Sequence, residues 1–223
     1  MLQIAHRGYS GKYGDNNMNS FRQALAFGFD MIELDIQQCG TGEIIIYHDT
    51  YIDNKYISEL PYDTLSTKGI ILLEDFFEEF ANKDIKIYLD IKGSYLVIYP
   101  LCIIIDKWFS HNTINRLYIS GFDRCFIDHI NHFREFIENG LHIVFTTENL
   151  FPINQLEGLI AHCSFACFHW TSLDHSIIRY LQDKNILVFA YTCKDTFILN
   201  HMLQYKLDGI VSNYSIVDDF IAS

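Results

Sequence analysis

Hydrophobic and polar positions alternate in blocks along the chain. Short, nearly unbroken apolar runs recur between longer stretches whose apolar residues fall at helical spacing. The runs predict strands at 2–6, 30–36, 86–92, 115–121, 141–146, 163–168, 186–192 and 208–212, with a ninth run at 43–47. The stretches between them predict helices near 19–28, Leu72–Ala81, 96–109, 124–138, 153–161, 174–183, 195–205 and 215–222. Asn17 or Asn19 reads as the N-cap of the first helix, and Gly28 as its stop.

Strands that are apolar throughout, each followed by a helix, belong to a parallel sheet covered by helices. Eight of them favour a closed (β/α)8 barrel, a TIM barrel, over an open doubly wound sheet. No GxGxxG or P-loop sequence supports the open alternative. The run at 43–47 is left over as an extra β-hairpin arm after strand two. There is no short internal repeat, low-complexity tract or linker, so residues 1–223 are expected to form a single domain.

Composition narrows the partners. The chain is 49% hydrophobic and 20% charged, with a net charge of −12 and no Lys/Arg cluster. Nucleic acid is excluded as a partner, because phosphate-backbone binding needs a basic face. A phosphorylated small molecule is not excluded, since a bound divalent cation reverses the local sign. The six cysteines form no CxxC pair and no zinc spacing with histidine. The N-terminus runs directly into a strand without a basic region or apolar signal core, so an intracellular, cytoplasmic protein with reduced thiols is expected. Leu96–Ile105, the most hydrophobic run, holds Pro100 and is too short to span a bilayer. It is expected to be a buried helix, and no transmembrane segment is predicted.

Candidate chemistry centres on MIELDIQQCGTGEIIIYHD, residues Met31–Asp49. Glu33 and Asp35 are two apart on a strand and share a face. Such a pair often marks a strand edge facing water, but here its neighbours are apolar and unpaired carboxylates would be costly to bury. A hairpin closing about Gly40–Gly42 sets Asp35 roughly opposite His48. In a barrel, functional groups gather where strands end, and the polar residues there are His6, Arg7, Glu33, Asp35, Asp90, Lys92 and Ser120. Three carboxylates without a cysteine describe an oxygen-ligand site for one divalent cation, Mg²⁺ or Ca²⁺. His6 and His48 fit an acid/base pair, while Arg7 and Lys92 suit an anionic group. Metal, imidazoles and cations together suit hydrolysis of a phosphate ester. Asp90 and Lys92 also fit a plain ion pair, and Asp49 a turn cap.

AHRGYSG, the GDNN after it, IELDIQQCGTGEIIIYHD, YLDIKG, YISGFD, AYTC and LDGIVSNY together resemble the glycerophosphodiester phosphodiesterase family, in order and over nearly the whole chain. The resemblance implies a TIM barrel with one divalent cation that cleaves glycerophosphodiesters to glycerol 3-phosphate and an alcohol. It implies His6 and His48 as the acid/base pair, Glu33, Asp35 and Asp90 on the metal, and Arg7 and Lys92 on the phosphate. Phe122, Trp170 and Tyr191 are expected to pack the non-phosphate end of a small glycerophosphodiester or lysolipid substrate. Asp15 and Asp90 stand where the family has glutamates, Gly14 where it has proline, and Tyr191 where it has tryptophan. An aspartate at 90 also resembles the sphingomyelinase D branch of the superfamily. Two alternatives stay open: phospholipase D-like cleavage of lysophospholipid head groups, and a catalytically silent barrel that binds a phosphorylated ligand.

Overall fold

The computed structural model describes residues 1–122 and 129–221. Eight parallel strands, numbered in chain order, form its ring: β1 (Leu2–His6), β2 (Met31–Gln38), β3 (Lys86–Ile91), β4 (Leu117–Gly121), β5 (His142–Thr147), β6 (Phe165–His169), β7 (Leu187–Cys193) and β8 (Gly209–Ser212). Each pairs with its sequence neighbours, and β1 pairs with both β2 and β8 to close the ring. The chain therefore folds as the expected (β/α)8 TIM barrel.

Two apolar faces per strand explain why the runs read as continuous. Ile4, Met31, Tyr88, Tyr118, Val144, Cys167, Phe189 and Val211, one from each strand, pack together inside the ring. The alternate residues Ile32, Leu34 and Ile36 of β2 and Ile87 and Leu89 of β3 pack outward with Phe21, Phe76, Phe77 and Leu101. In β2 the period of two puts Glu33 and Asp35 on the same side as Met31, toward the axis. Helices close the outer layer. The helix Met18–Ala26, after a single turn at Ser10–Tyr13, is capped by Asn17, whose side chain accepts from the Ser20 N–H (2.9 Å).

Three expectations change. The hairpin arm, Ile44–Ile46, pairs antiparallel with β2 as Ile36↔Ile46 and Gln38↔Ile44. Tyr47, not His48, is therefore opposite Asp35, and its N–H donates to the Asp35 carbonyl (3.0 Å). A loop centred on Thr41, with Gly42 at φ 100°, pairs Asp35 with Tyr47 and puts His48 one residue beyond the pair. Ile71–Leu72 adds a further antiparallel strand to the arm, and Tyr51–Ile52 pairs with Lys55–Tyr56 as a separate hairpin. The helix Ile98–Trp108 is buried on one face only: Ile98, Leu101 and Ile105 are covered, whereas Tyr99 and Ile103 are exposed, as is Leu96 just before it. Of the helix expected at 215–222, Ile216–Ile221 forms a wide π-type turn, and residue 222 lies outside the described residues. The first part of the helix expected at 124–138, and Cys125, lie outside the described residues; Arg134–Glu138 is helical. Among the described residues no helix is long and apolar enough to cross a membrane.

Candidate active site

Where β1 ends, the backbone turns sharply. Arg7 has φ 58° and Gly8 φ 80°, and a Cβ on Gly8 would lie 2.8 Å from the Ser20 backbone carbonyl carbon. The turn aims the Arg7 N–H at Glu33 Oε2 (2.8 Å). It also sends the guanidinium between Asp35 (Nε to Oδ2, 3.0 Å) and Asp15 (3.0 Å). Asn16 completes the hold on Asp35, donating to Oδ2 (2.8 Å).

Register does the rest. Asp35 of β2 is level with Asp90 of β3, and Asp90 with Ser120 of β4. Ligand oxygens of Glu33, Asp35 and Asp90, all three residues buried, lie within 4.8 Å of one another. Lys92 bridges Asp90 (2.5 Å) and Asp35 (3.2 Å), and Ser120 donates to Asp90 (2.8 Å). Burial alone would raise the Asp35 carboxyl, but Lys92 and Arg7 outweigh it and hold it below its ordinary value. Glu33 goes the other way: burial, then Asp35 and Asp90, push it well above the usual carboxylate range. Burial also works against the charge on Lys92, yet Asp90 and Asp35 keep its ammonium above its ordinary value.

The two imidazoles are anchored differently. His6 Nδ1 lies 2.7 Å from Asn213 Oδ1, an acceptor only, which puts the ring proton on Nδ1 and leaves Nε2 bare. Burial, then Arg7, lowers His6 to about 4, so it is neutral near pH 7 and able to take a proton. His48 is half-exposed and its Nδ1 lies 2.7 Å from Asp49 Oδ1. The buried Gln37 holds that loop, its amide donating to the carbonyls of Tyr47 (2.7 Å) and Asp49 (2.9 Å).

These residues line one cavity of about 400 Å³ at the C-terminal mouth of the barrel. His6, Arg7, Glu33, Asp35, His48, Asp90 and Lys92 all reach it, and so do Phe122 and Tyr191. Trp170 does not: it packs against Phe197 (6.4 Å) and His201 (5.6 Å), because it lies one residue beyond the end of β6. His169 takes its place in the wall, joined by Glu148 and Lys194. These three, with Asn213 and Gln37, were missed in the sequence. Each stands at or just past a strand end, the same position in the barrel that marks His6 and Asp90.

Over residues 6–217 the chain matches the Glycerophosphoryl diester phosphodiesterase family. A glycerophosphodiester phosphodiesterase of Caldanaerobacter subterraneus is 22% identical over 95% of this chain and 93% of its own. YqiK of Bacillus subtilis is 29% identical over 111 residues, 42% of this chain, and the chain spans 46% of its length. An Oleispira antarctica phosphodiesterase, solved in complex with the product sn-glycerol-3-phosphate, superposes with a TM-score of 0.84 at 20% identity, over 100% of this chain and 97% of that one.

Proposed function

Because this chain belongs to the glycerophosphoryl diester phosphodiesterase family, a group of phosphoric diester hydrolases, we propose that it hydrolyses glycerophosphodiesters to glycerol 3-phosphate and an alcohol. One observation carries the reading: a buried oxygen-only ligand cluster, two cations and two separately anchored imidazoles share one cavity. The silent-barrel alternative has no support in a site whose acid/base and ligand groups are all present.

The donor set fits a divalent cation. Three carboxylates with no sulfur or imidazole among them suit Mg²⁺ or Ca²⁺, and among the described residues Glu33 makes no ion pair of its own, Arg7 and Lys92 being paired to Asp35 and Asp90. Glu33, Asp35 and Asp90 would hold the ion, and it would polarise a phosphoryl oxygen. Arg7 and Lys92 bind the remaining phosphate charge, Arg7 by its fork and Lys92 as a point charge. His6, neutral with a bare Nε2, takes the proton of the nucleophile, which is water, or a substrate hydroxyl whose cyclic phosphate water then opens. His48, held by Asp49, delivers a proton to the leaving alkoxide.

The test is turnover of glycerophosphocholine, glycerophosphoethanolamine and lysophosphatidylcholine, each with Mg²⁺, Ca²⁺ or a chelator. Hydrolysis of the first two with a divalent ion, lost in the chelator and reduced roughly 100-fold or more in His6→Ala and His48→Ala, supports the reading. No turnover of any diester with either ion sinks it. Near-wild-type rates in either histidine variant remove the acid/base roles.

A further inference from the structure

The cavity has two unlike ends. One is built by β1–β3: the carboxylates, His6, Arg7 and Lys92. Across the mouth, β5–β7 end in Glu148, His169, Tyr191 and Lys194, which the mechanism above does not use. In the closed ring β7 is diametrically opposite β3, so this second pole faces Asp90 across the mouth.

Its polar groups are mostly unengaged. Among the described residues neither the Glu148 carboxylate nor the Lys194 ammonium has a hydrogen bond or ion pair. The Nδ1 of His169 accepts from the Thr171 N–H (3.5 Å) and lies 2.7 Å from its hydroxyl, which leaves Nε2 as the N–H of the ring. The pole therefore offers an acceptor and two donors that do not satisfy one another. Aromatic rings connect it to the phosphate end: Tyr191 meets His169 edge-on (5.5 Å) and Phe122 edge-on (6.0 Å).

We propose that this pole is a polyol subsite, binding the leaving alcohol of the diester through its hydroxyls. Glu148 accepts from them, Lys194 and His169 donate to them, and diesters of glycerol, inositol or another polyhydroxy alcohol are preferred. The proposal rests on the phosphodiesterase reading and adds the class of leaving group. Each hydroxyl both donates and accepts, so neighbouring hydroxyls match a pole that supplies both. A quaternary ammonium fits poorly, because the Phe122 face already carries the Lys92 ammonium (5.0 Å) and the other rings meet edge to face. An acyl chain would strip water from Glu148 and Lys194 without replacing its hydrogen bonds.

Steady-state kinetics on glycerophosphoglycerol, glycerophosphocholine, glycerophosphoethanolamine and lysophosphatidylcholine reads this. The wild type is expected to favour glycerophosphoglycerol over glycerophosphocholine by roughly tenfold or more in kcat/KM. Glu148→Gln and Lys194→Met should each cut that ratio about fivefold, through KM for the polyol diester. Preference for a choline, ethanolamine or lyso substrate, or a ratio that neither variant moves, overturns the subsite. Turnover of none of the four is failure of the functional reading instead. The subsite is then decided by thermal-shift titration with glycerophosphoglycerol: stabilisation that weakens in Glu148→Gln supports it, and none in the wild type overturns it.

Discussion

Glu33 is the residue on which the ligand cluster turns. Its side chain is buried and accepts from the Arg7 N–H, but Arg7 and Lys92 direct their charges at its neighbours. Its pKa is raised in the folded state, so its contribution to stability is present below the unfolded value and is lost as pH rises toward the folded one. Glu33→Gln keeps an acceptor for Arg7 and removes the charge. Calorimetry at pH 8 without divalent ions should find the variant roughly 2–5 °C more stable than wild type. Added Mg²⁺ or Ca²⁺ should raise the wild-type melting temperature far more than that of the variant. A variant that melts lower and keeps the full ion effect would contradict the ligand role.

Asn213 matters through what it does to His6. Its neutral oxygen fixes the tautomer, and burial and Arg7 hold the ring down to about 4. Asn213→Asp places a carboxylate at Nδ1 and favours the protonated ring. The acid limb of the kcat/KM profile should then move up by about one unit or more. Asn213→Leu should lower kcat roughly tenfold with KM nearly unchanged, since only the orientation of the base is lost. An unmoved acid limb in Asn213→Asp separates His6 from the limb.

At the scale of elements, the hairpin arm carries the second histidine. Gln37 clamps the loop around His48 by two carbonyls, so Gln37→Ala frees it. The expected loss is about tenfold in kcat, and none further in a His48→Ala background, because the two substitutions act through one group. Additive losses would mean that Gln37 works elsewhere.

This same arm shows what the sequence could and could not reveal. The barrel strands were legible because both of their faces are buried, so Ile32, Leu34 and Ile36 pack outward while Met31 packs inward. Glu33 and Asp35 stood out as charges within that run. The register of the hairpin was not legible, since it depends on how the Cys39–Glu43 loop closes rather than on an apolar pattern. Likewise Leu96–Ile105 reads as uniformly apolar, and only the packed helix shows that Tyr99 and Ile103 face away from the core. Trp170 is expected in the cavity wall, yet the strand ends one residue earlier and gives the wall to His169.

On the scale of the whole molecule, the closing seam is made by distant parts of the sequence. β1 is flanked by β8, the Gly11 N–H donates to the Asn213 carbonyl (2.8 Å), and the Ile216 N–H donates to Gln3 Oε1 (2.9 Å). Asp219 accepts from Tyr9 and pairs with Lys12. We expect residues 1–223 to behave as a single domain and to unfold in one transition, with fluorescence and circular dichroism changing together. Asp219→Ala should cost about 1–2 kcal/mol in denaturant unfolding and reduce kcat modestly, by loosening the segment that carries Asn213. Two separated transitions would contradict the single domain.

The His6–Asn213 contact has a consequence for synthesis. These residues are 207 positions apart, so a growing chain displays every carboxylate of the ligand cluster long before its base can be oriented. Residue 213 must leave the ribosomal exit tunnel before the ring can shut around His6. Assembly of the complete site would then come as one event, when the last strand of the ring joins the first.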